Sequence, residues 1–178
     1  KEINAYGREE GFLPIECNYQ ASAKDKFGNI WVGTIDGLVK CYPGRTLPNA
    51  NPPKSTLSHI VAFDTLKLDF NNYSENIDKR SGLPRDLVLP YNMNYLTFHI
   101  VVNHMVIPER NQLMVKLDGY DPDWSIPSID RVFEYKKLPP KRYTLLLRAA
   151  NSDGIWQKEP FRFEFRIKPP FWKTPWFY

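Results

Sequence analysis

Proline constrains this chain more than any other residue. Sixteen of its 178 residues are proline, nearly twice the usual share of about 5%. The pyrrolidine ring breaks an interior helix and a central strand alike. That disfavours long helices and favours many short strands joined by proline-bearing turns. Apolar residues make up 42% of the chain and aromatics 15%. This is ample for a core and too apolar for a disordered tract. The length fits one domain with at most a small companion.

Charge and targeting signals narrow the classes further. Lys plus Arg number 24 and Asp plus Glu 20, a net charge of +4 spread evenly along the chain. A duplex nucleic-acid binder needs a basic face, so no nucleic-acid partner is expected for this segment. No apolar run approaches the ~18 residues of a membrane helix. The chain opens at Lys1 with no initiator Met and no leader, and reads as a fragment of a longer protein. Cys17 and Cys41 do not make a disulfide framework. Each stands where a small apolar residue would serve a strand, so two buried thiols are expected, with a single bridge as the alternative in an oxidising compartment.

Turn pairs divide the chain into strands. Gly28-Asn29 and Asp36-Gly37 tolerate positive φ. Between them lies Ile30–Thr34, with Leu38–Tyr42 after it and Ile15–Lys24 before it. Three short strands over some forty residues resemble one blade of a β-propeller, which cannot bury both its faces alone. Residues 1–48 are therefore read as a terminal blade fragment and the proline-rich residues 49–55 as a stiff linker. Residues 56–168 then give strand after strand: Leu57–Phe63, Leu87–Leu89, Leu96–Val102, Leu113–Leu117, Arg131–Tyr135, Tyr143–Ala150 and Phe161–Ile167, with a polar loop at 71–82. About seven strands with turn signals between them fit an immunoglobulin-like β-sandwich, with a β-barrel as the rival. Leu138-Pro139-Pro140-Lys141-Arg142-Tyr143 has the form of a tyrosine corner, in which the Tyr hydroxyl bonds upstream backbone.

The chemistry is sparse. His99 and His104 are five apart, so on one strand they would face opposite ways. No Cys or His falls at zinc-ligand spacing, and no phosphate loop or nucleophile elbow occurs. No catalytic residue, metal or cofactor is expected. Asp118-Gly119-Tyr120-Asp121-Pro122-Asp123-Trp124 is an acidic cluster, but it fails the calcium-loop register. It is read as a solvated turn with Trp124 packed beneath it. Trp31, Trp124 and Trp156 are candidates for stacking on sugar rings, against the plainer reading of packing between strands. Arg148 and Arg166 are placed on solvated strand faces. The final stretch, residues 169–178, carries Pro169, Pro170, Phe171, Trp172, Lys173, Trp176 and Tyr178. Such a mixture suits a membrane–water interface, so it is read as a juxtamembrane tail.

These residues together resemble a known pairing. Phe27–Thr34 with Asp36-Gly37-Leu38 is similar to the repeat of two-component regulator propellers. Residues 87–178 resemble the three-tyrosine (YYY) domain that follows such propellers. The resemblance rests on Lys116–Asp121, Asp123-Trp124, Leu138-Pro139-Pro140 with Tyr143, Ala150–Gly154 with Trp156, and Pro169–Trp172. Val115 stands where the family usually has a tyrosine, leaving Tyr120, Tyr135 and Tyr143 as the aromatic trio. Lys141 stands where glycine is usual.

The resemblance implies the periplasmic part of an inner-membrane hybrid two-component histidine kinase of the Bacteroidetes type. Propellers upstream in the same chain would sense an oligosaccharide outside this fragment. The sandwich would pair as a homodimer and pass the signal through Pro169, Pro170, Phe171, Trp172 and Trp176 to a membrane helix, a kinase and transcription. The fragment itself would not be an enzyme. The alternative is a carbohydrate-binding accessory β-sandwich of a secreted polysaccharide-processing protein.

Overall fold

β-branched and aromatic runs between turn residues become strands in a computed structural model that describes residues 16–43, 50–104 and 108–170. The chain divides into two units, Lys1–Asn49 and Ala50–Tyr178.

The described part of the first unit is an antiparallel meander. It comprises β1 (Cys17–Lys24), β2 (Ile30–Thr34) and β3 (Gly37–Cys41), in that order across the sheet. Asp25 builds the first turn. Its Oδ1 accepts from the backbone N–H groups of Phe27 and Asn29, both at 2.9 Å, and its Oδ2 accepts from Asn29 Nδ2 at 2.7 Å and Trp31 Nε1 at 3.1 Å. The Asn29 side chain chiefly, with Trp31, draws the Asp25 carboxyl down to about 2. The second turn is Ile35-Asp36, and Gly37 opens β3 at φ +133°. Gly33 lets β2 approach β1 closely, since a Cβ there would lie 2.9 Å from the Ala21 Cβ. Cys17 is exposed and Cys41 half-buried, both unbridged, which corrects the expectation of two buried thiols. A single sheet covers neither of its faces without a second layer. Among residues 16–43 only Thr34 is buried.

The second unit is a sandwich of two four-stranded sheets. One runs β5 (Leu66–Lys67), β4 (Lys54–Ala62), β7 (Leu96–Asn103), β9 (Val132–Tyr135) across its width. The other runs β6 (Leu87–Leu89), β11 (Phe161–Ile167), β10 (Arg142–Ala150), β8 (Gln112–Asp118). Every pairing is antiparallel except β6 with β11. Alternation fills the space between the sheets. Leu113, Val115 and Leu117 on β8, Tyr143, Leu145 and Leu147 on β10, and Phe163, Phe165 and Ile167 on β11 form one buried layer. Leu57, Ile60 and Ala62 on β4 with Leu96, Phe98 and Ile100 on β7 form the facing one. The fold is all-β and immunoglobulin-like, two separate sheets rather than a barrel.

Two local features depart from the strand pattern. β4 begins at Lys54, inside the segment read as linker, and carries a bulge between Leu57 and His59. Leu57 and Ile60 therefore both face the core although they are three residues apart. β5 follows a hairpin turn in which Phe63 and Asp64 both have positive φ, 52° and 59°. Phe63 is not a residue that usually marks such a turn, and no strand is expected from the sequence at β5.

Leu145 lies at the centre of the core with 0% of its surface exposed. Leu145→Ala is expected to lower the stability of the sandwich by about 2–5 kcal/mol. In urea unfolding this reads as a lower midpoint with an unchanged slope.

Candidate functional site

The turn after β8 fastens the two sheets together. Gly119 sits at φ +94°, and a Cβ there would come within 3.1 Å of the Arg142 carbonyl oxygen, so this turn needs glycine. The chain then folds back. The backbone N–H groups of Tyr120 and Asp121 donate to the Leu117 carbonyl at 2.9 and 2.8 Å. Asp121 Oδ2 in turn accepts from the Leu117 N–H and the Tyr135 hydroxyl, both at 2.7 Å. Leu117 belongs to β8 and Tyr135 to β9, the edge strands of opposite sheets. One carboxylate therefore clasps the open side of the sandwich. The rest of the β8–β9 connection covers the same edge, through Ser125 on Val115 and Ser128 on Leu113, which removes a free strand edge.

The three tyrosines meet in one chain of rings. Tyr120 stands edge-on to Tyr135 at 5.7 Å, and Tyr135 edge-on to Phe98 at 5.9 Å. Phe98 lies 5.6 Å from Phe165, and Phe165 stacks on Tyr143 at 5.3 Å. The Tyr143 hydroxyl donates to the Pro139 carbonyl at 2.6 Å, the tyrosine corner that the motif implies. Lys141 Nζ lies 5.5 Å from the Tyr143 ring centroid, a cation–π contact that the family's usual glycine could not make. Val115 is buried in the core.

Two further clasps hold the ends of the sandwich. Where the chain enters, Asn151 Nδ2 donates to the Asn51 carbonyl at 3.1 Å, and Gln157 Oε1 accepts from the Ser55 hydroxyl at 2.9 Å. Asn151 Oδ1 also accepts from the N–H groups of Asp153 and Ile155, shaping the loop that leads to Trp156. Arg148 Nε donates to the Gln157 carbonyl at 2.8 Å, and its guanidinium carbon lies 6.0 Å from the Trp156 ring centroid. Arg148 is thus half-buried and engaged, not on a solvated face, whereas Arg166 is exposed as expected. Where the chain leaves, the Ile167 N–H donates to Lys141 and the Lys168 N–H to Leu89, at 3.0 and 2.9 Å. Pro169 is exposed and Pro170 buried. Phe171, Trp172 and Trp176, expected in the juxtamembrane tail, lie outside the described residues.

The other candidates resolve individually. Trp124 is 36% exposed, so it is not packed beneath its turn; Asp121 is half-buried in the clasp, and Pro122, Asp123 and Trp124 are exposed. Trp31 is tied to Asp25 and lies under Lys40, whose Nζ is 4.7 Å from its ring centroid. His104 follows the end of β7 rather than lying on it. Among the described residues no group of three or more His, Cys, Asp or Glu could hold a metal. Sequence reasoning missed Asn151 and Gln157 as tethers, because their partners are about a hundred residues away. It also missed the Asp121–Tyr135 bond, although both residues had been singled out.

Comparisons with known proteins agree with this geometry. The fold is similar to that of extracellular domains of two-component systems. The extracellular domain of the hybrid two component system BT3049 from B. thetaiotaomicron superposes with a TM-score of 0.69 at 16% identity, covering 92% of this chain and 22% of that one. That of BT4673 from the same organism gives 0.54 at 19% identity, covering 84% of this chain and 20% of that one. More particularly, residues 105–168 match the Y_Y_Y domain family, as the motifs implied. A curated relative, Histidine kinase P4 of Formosa agariphila, is 20% identical over 177 residues, 99% of this chain and 13% of the relative. The chain spans less than a quarter of each of these proteins.

Burial first, and then the bond to Asp121, pushes the Tyr135 phenol well above its ordinary 10.0. Burial, with Tyr120 nearby, pushes Tyr143 up to about 12. Both phenols keep their protons in the folded state. Their stabilising effect is complete below pH 10 and is lost as pH rises through the folded values. Ultraviolet titration of the folded chain is expected to show two phenols ionising late, Tyr143 near 12. Tyr135→Phe and Tyr143→Phe should each remove one of them.

Proposed function

We propose that this chain is the periplasmic relay segment of a hybrid two-component sensor histidine kinase. In this reading, propellers earlier in the same protein bind an oligosaccharide, and residues 16–43 are strands of the last blade. Two copies pair through their sandwiches. Each passes the signal through Pro169 and Pro170 to an inner-membrane helix and a cytoplasmic kinase that controls transcription. No catalysis is assigned to the segment itself.

The observation that carries this reading is the placement of the two end clasps. The incoming chain is fastened beside Ala150 and the outgoing chain beside Arg142, the opposite ends of β10. At ~3.3 Å per residue these ends lie about 26 Å apart. A close-packed body resists compression, so a displacement imposed at one end reaches the other. The ligand drives it only through different affinities for the two poses.

The test uses the full-length receptor carrying Asn151→Ala and Gln157→Ala. Ligand binding by the whole ectodomain should be unchanged. The transcriptional response to ligand should fall by about 5-fold or more, the lower end of typical coupling between sites. A full response from a variant whose sandwich is folded would overturn the proposal.

A further inference from the structure

One pair of side chains takes no part in the clasps. His59 on β4 and His99 on β7 are register partners on the outer face of their sheet. Their imidazole rings stack with centroids 4.2 Å apart and planes within 10° of parallel. The β4 bulge produces this meeting. Leu57 pairs with Ile100, and His59, two residues on, pairs with His99, one residue back. Without the extra residue, Ser58 would stand opposite His99. Bulges commonly re-aim a side chain in this way. The Ser58 hydroxyl lies 3.1 Å from His59 Nδ1. An open groove of about 500 Å³, lined by Ser58, His59, Lys67 and Asp69 among others, runs alongside.

We infer that His59 and His99 form a two-imidazole chelate for a borderline divalent transition metal such as zinc, nickel or copper. Zinc–imidazole bonds of 2.0–2.1 Å at a tetrahedral angle separate the two nitrogens by about 3.4 Å. Facing rings reach that spacing by a small tilt, and the broad, two-fold χ2 of histidine lets His99 present either nitrogen. With Nδ1 engaged by Ser58, Nε2 of His59 is the nitrogen that ligates, and an outer hydrogen bond of this kind is what metal-bound histidines ordinarily have. Neutral imidazole is the form that binds metal. Nitrogen ligands disfavour calcium and magnesium, which take oxygen. No larger ligand cluster exists among the described residues, so water or a ligand oxygen completes the coordination. The bound metal staples β4 to β7.

Calorimetric titration of this chain with zinc, nickel, copper, magnesium and calcium tests the inference. Cys17→Ser with Cys41→Ser serves as the background, so that thiols cannot supply the site. One zinc or nickel per chain is expected, with no binding of magnesium or calcium. His59→Gln and His99→Gln should each abolish binding, and Ser58→Ala should weaken it by about 10-fold. Lys67→Ala should strengthen binding by removing a nearby positive charge, and His104→Gln should leave it unchanged. Nickel should broaden the His59 and His99 imidazole resonances selectively. Failure of all three transition metals to bind would overturn the inference. So would unchanged binding in a folded His99→Gln variant.

Discussion

The sandwich depends on a carboxylate that belongs to neither sheet. Two β-sheets stacked face to face are held by apolar contact, which fixes their spacing but leaves their edges able to slide. Asp121 stops that sliding by taking hydrogen bonds from Leu117 on one edge strand and Tyr135 on the other. Both bonds are charge-assisted, so each is stronger than a bond between neutral groups. The clasp also sets the position of Tyr135 and, through it, the chain of rings that runs from exposed Tyr120 to the buried corner tyrosine. The tyrosine corner closes the same sandwich at the start of β10, where Tyr143 bonds Pro139. The two devices meet at Gly119, whose positive φ and tight approach to the Arg142 backbone favour glycine.

Under the proposed relay, a body built this way would carry a displacement between its tied ends. Its interior is aliphatic and aromatic, and two of its four buried polar side chains among the described residues, Ser55 and Asn151, sit where the incoming chain is tied. Asn151 and Gln157 hold the incoming segment, and backbone bonds to Leu89 and Lys141 hold the outgoing one. Between them runs β10, paired along its length with β8 and β11. The first unit makes a contrast. Its meander buries almost nothing, and its turn is fixed by local bonds to Asp25. Order there comes from turn chemistry rather than from a core.

What the sequence disclosed follows the range of the interactions. The bounds of β6 and β11 could be read directly, because alternation and flanking turns are local signals. The tyrosine corner was legible because its donor and acceptor are four residues apart. The trio Tyr120, Tyr135 and Tyr143 was legible as a motif, but its convergence through Phe98 and Phe165 was not. That depends on which strands face each other. The tethers from Gln157 to Ser55 and from Asn151 to Asn51 span about a hundred residues, beyond any periodicity. The bulge that pairs His59 with His99 leaves no compositional mark. Cys17, Cys41 and Trp124 were misread for one reason. Apolar character tells what a side chain prefers, and burial also needs a second surface to cover it.

The clasp can be measured most directly by a double-mutant cycle on Asp121→Ala and Tyr135→Phe, read by urea unfolding of the sandwich. If the carboxylate joins the two sheets through this phenol, the two substitutions are coupled by about 1.5–3 kcal/mol, the range for a hydrogen bond to a charged group. Losses that add to within about 0.5 kcal/mol would mean that Asp121 and Tyr135 act independently. The carboxylate would then not join the sheets through this phenol.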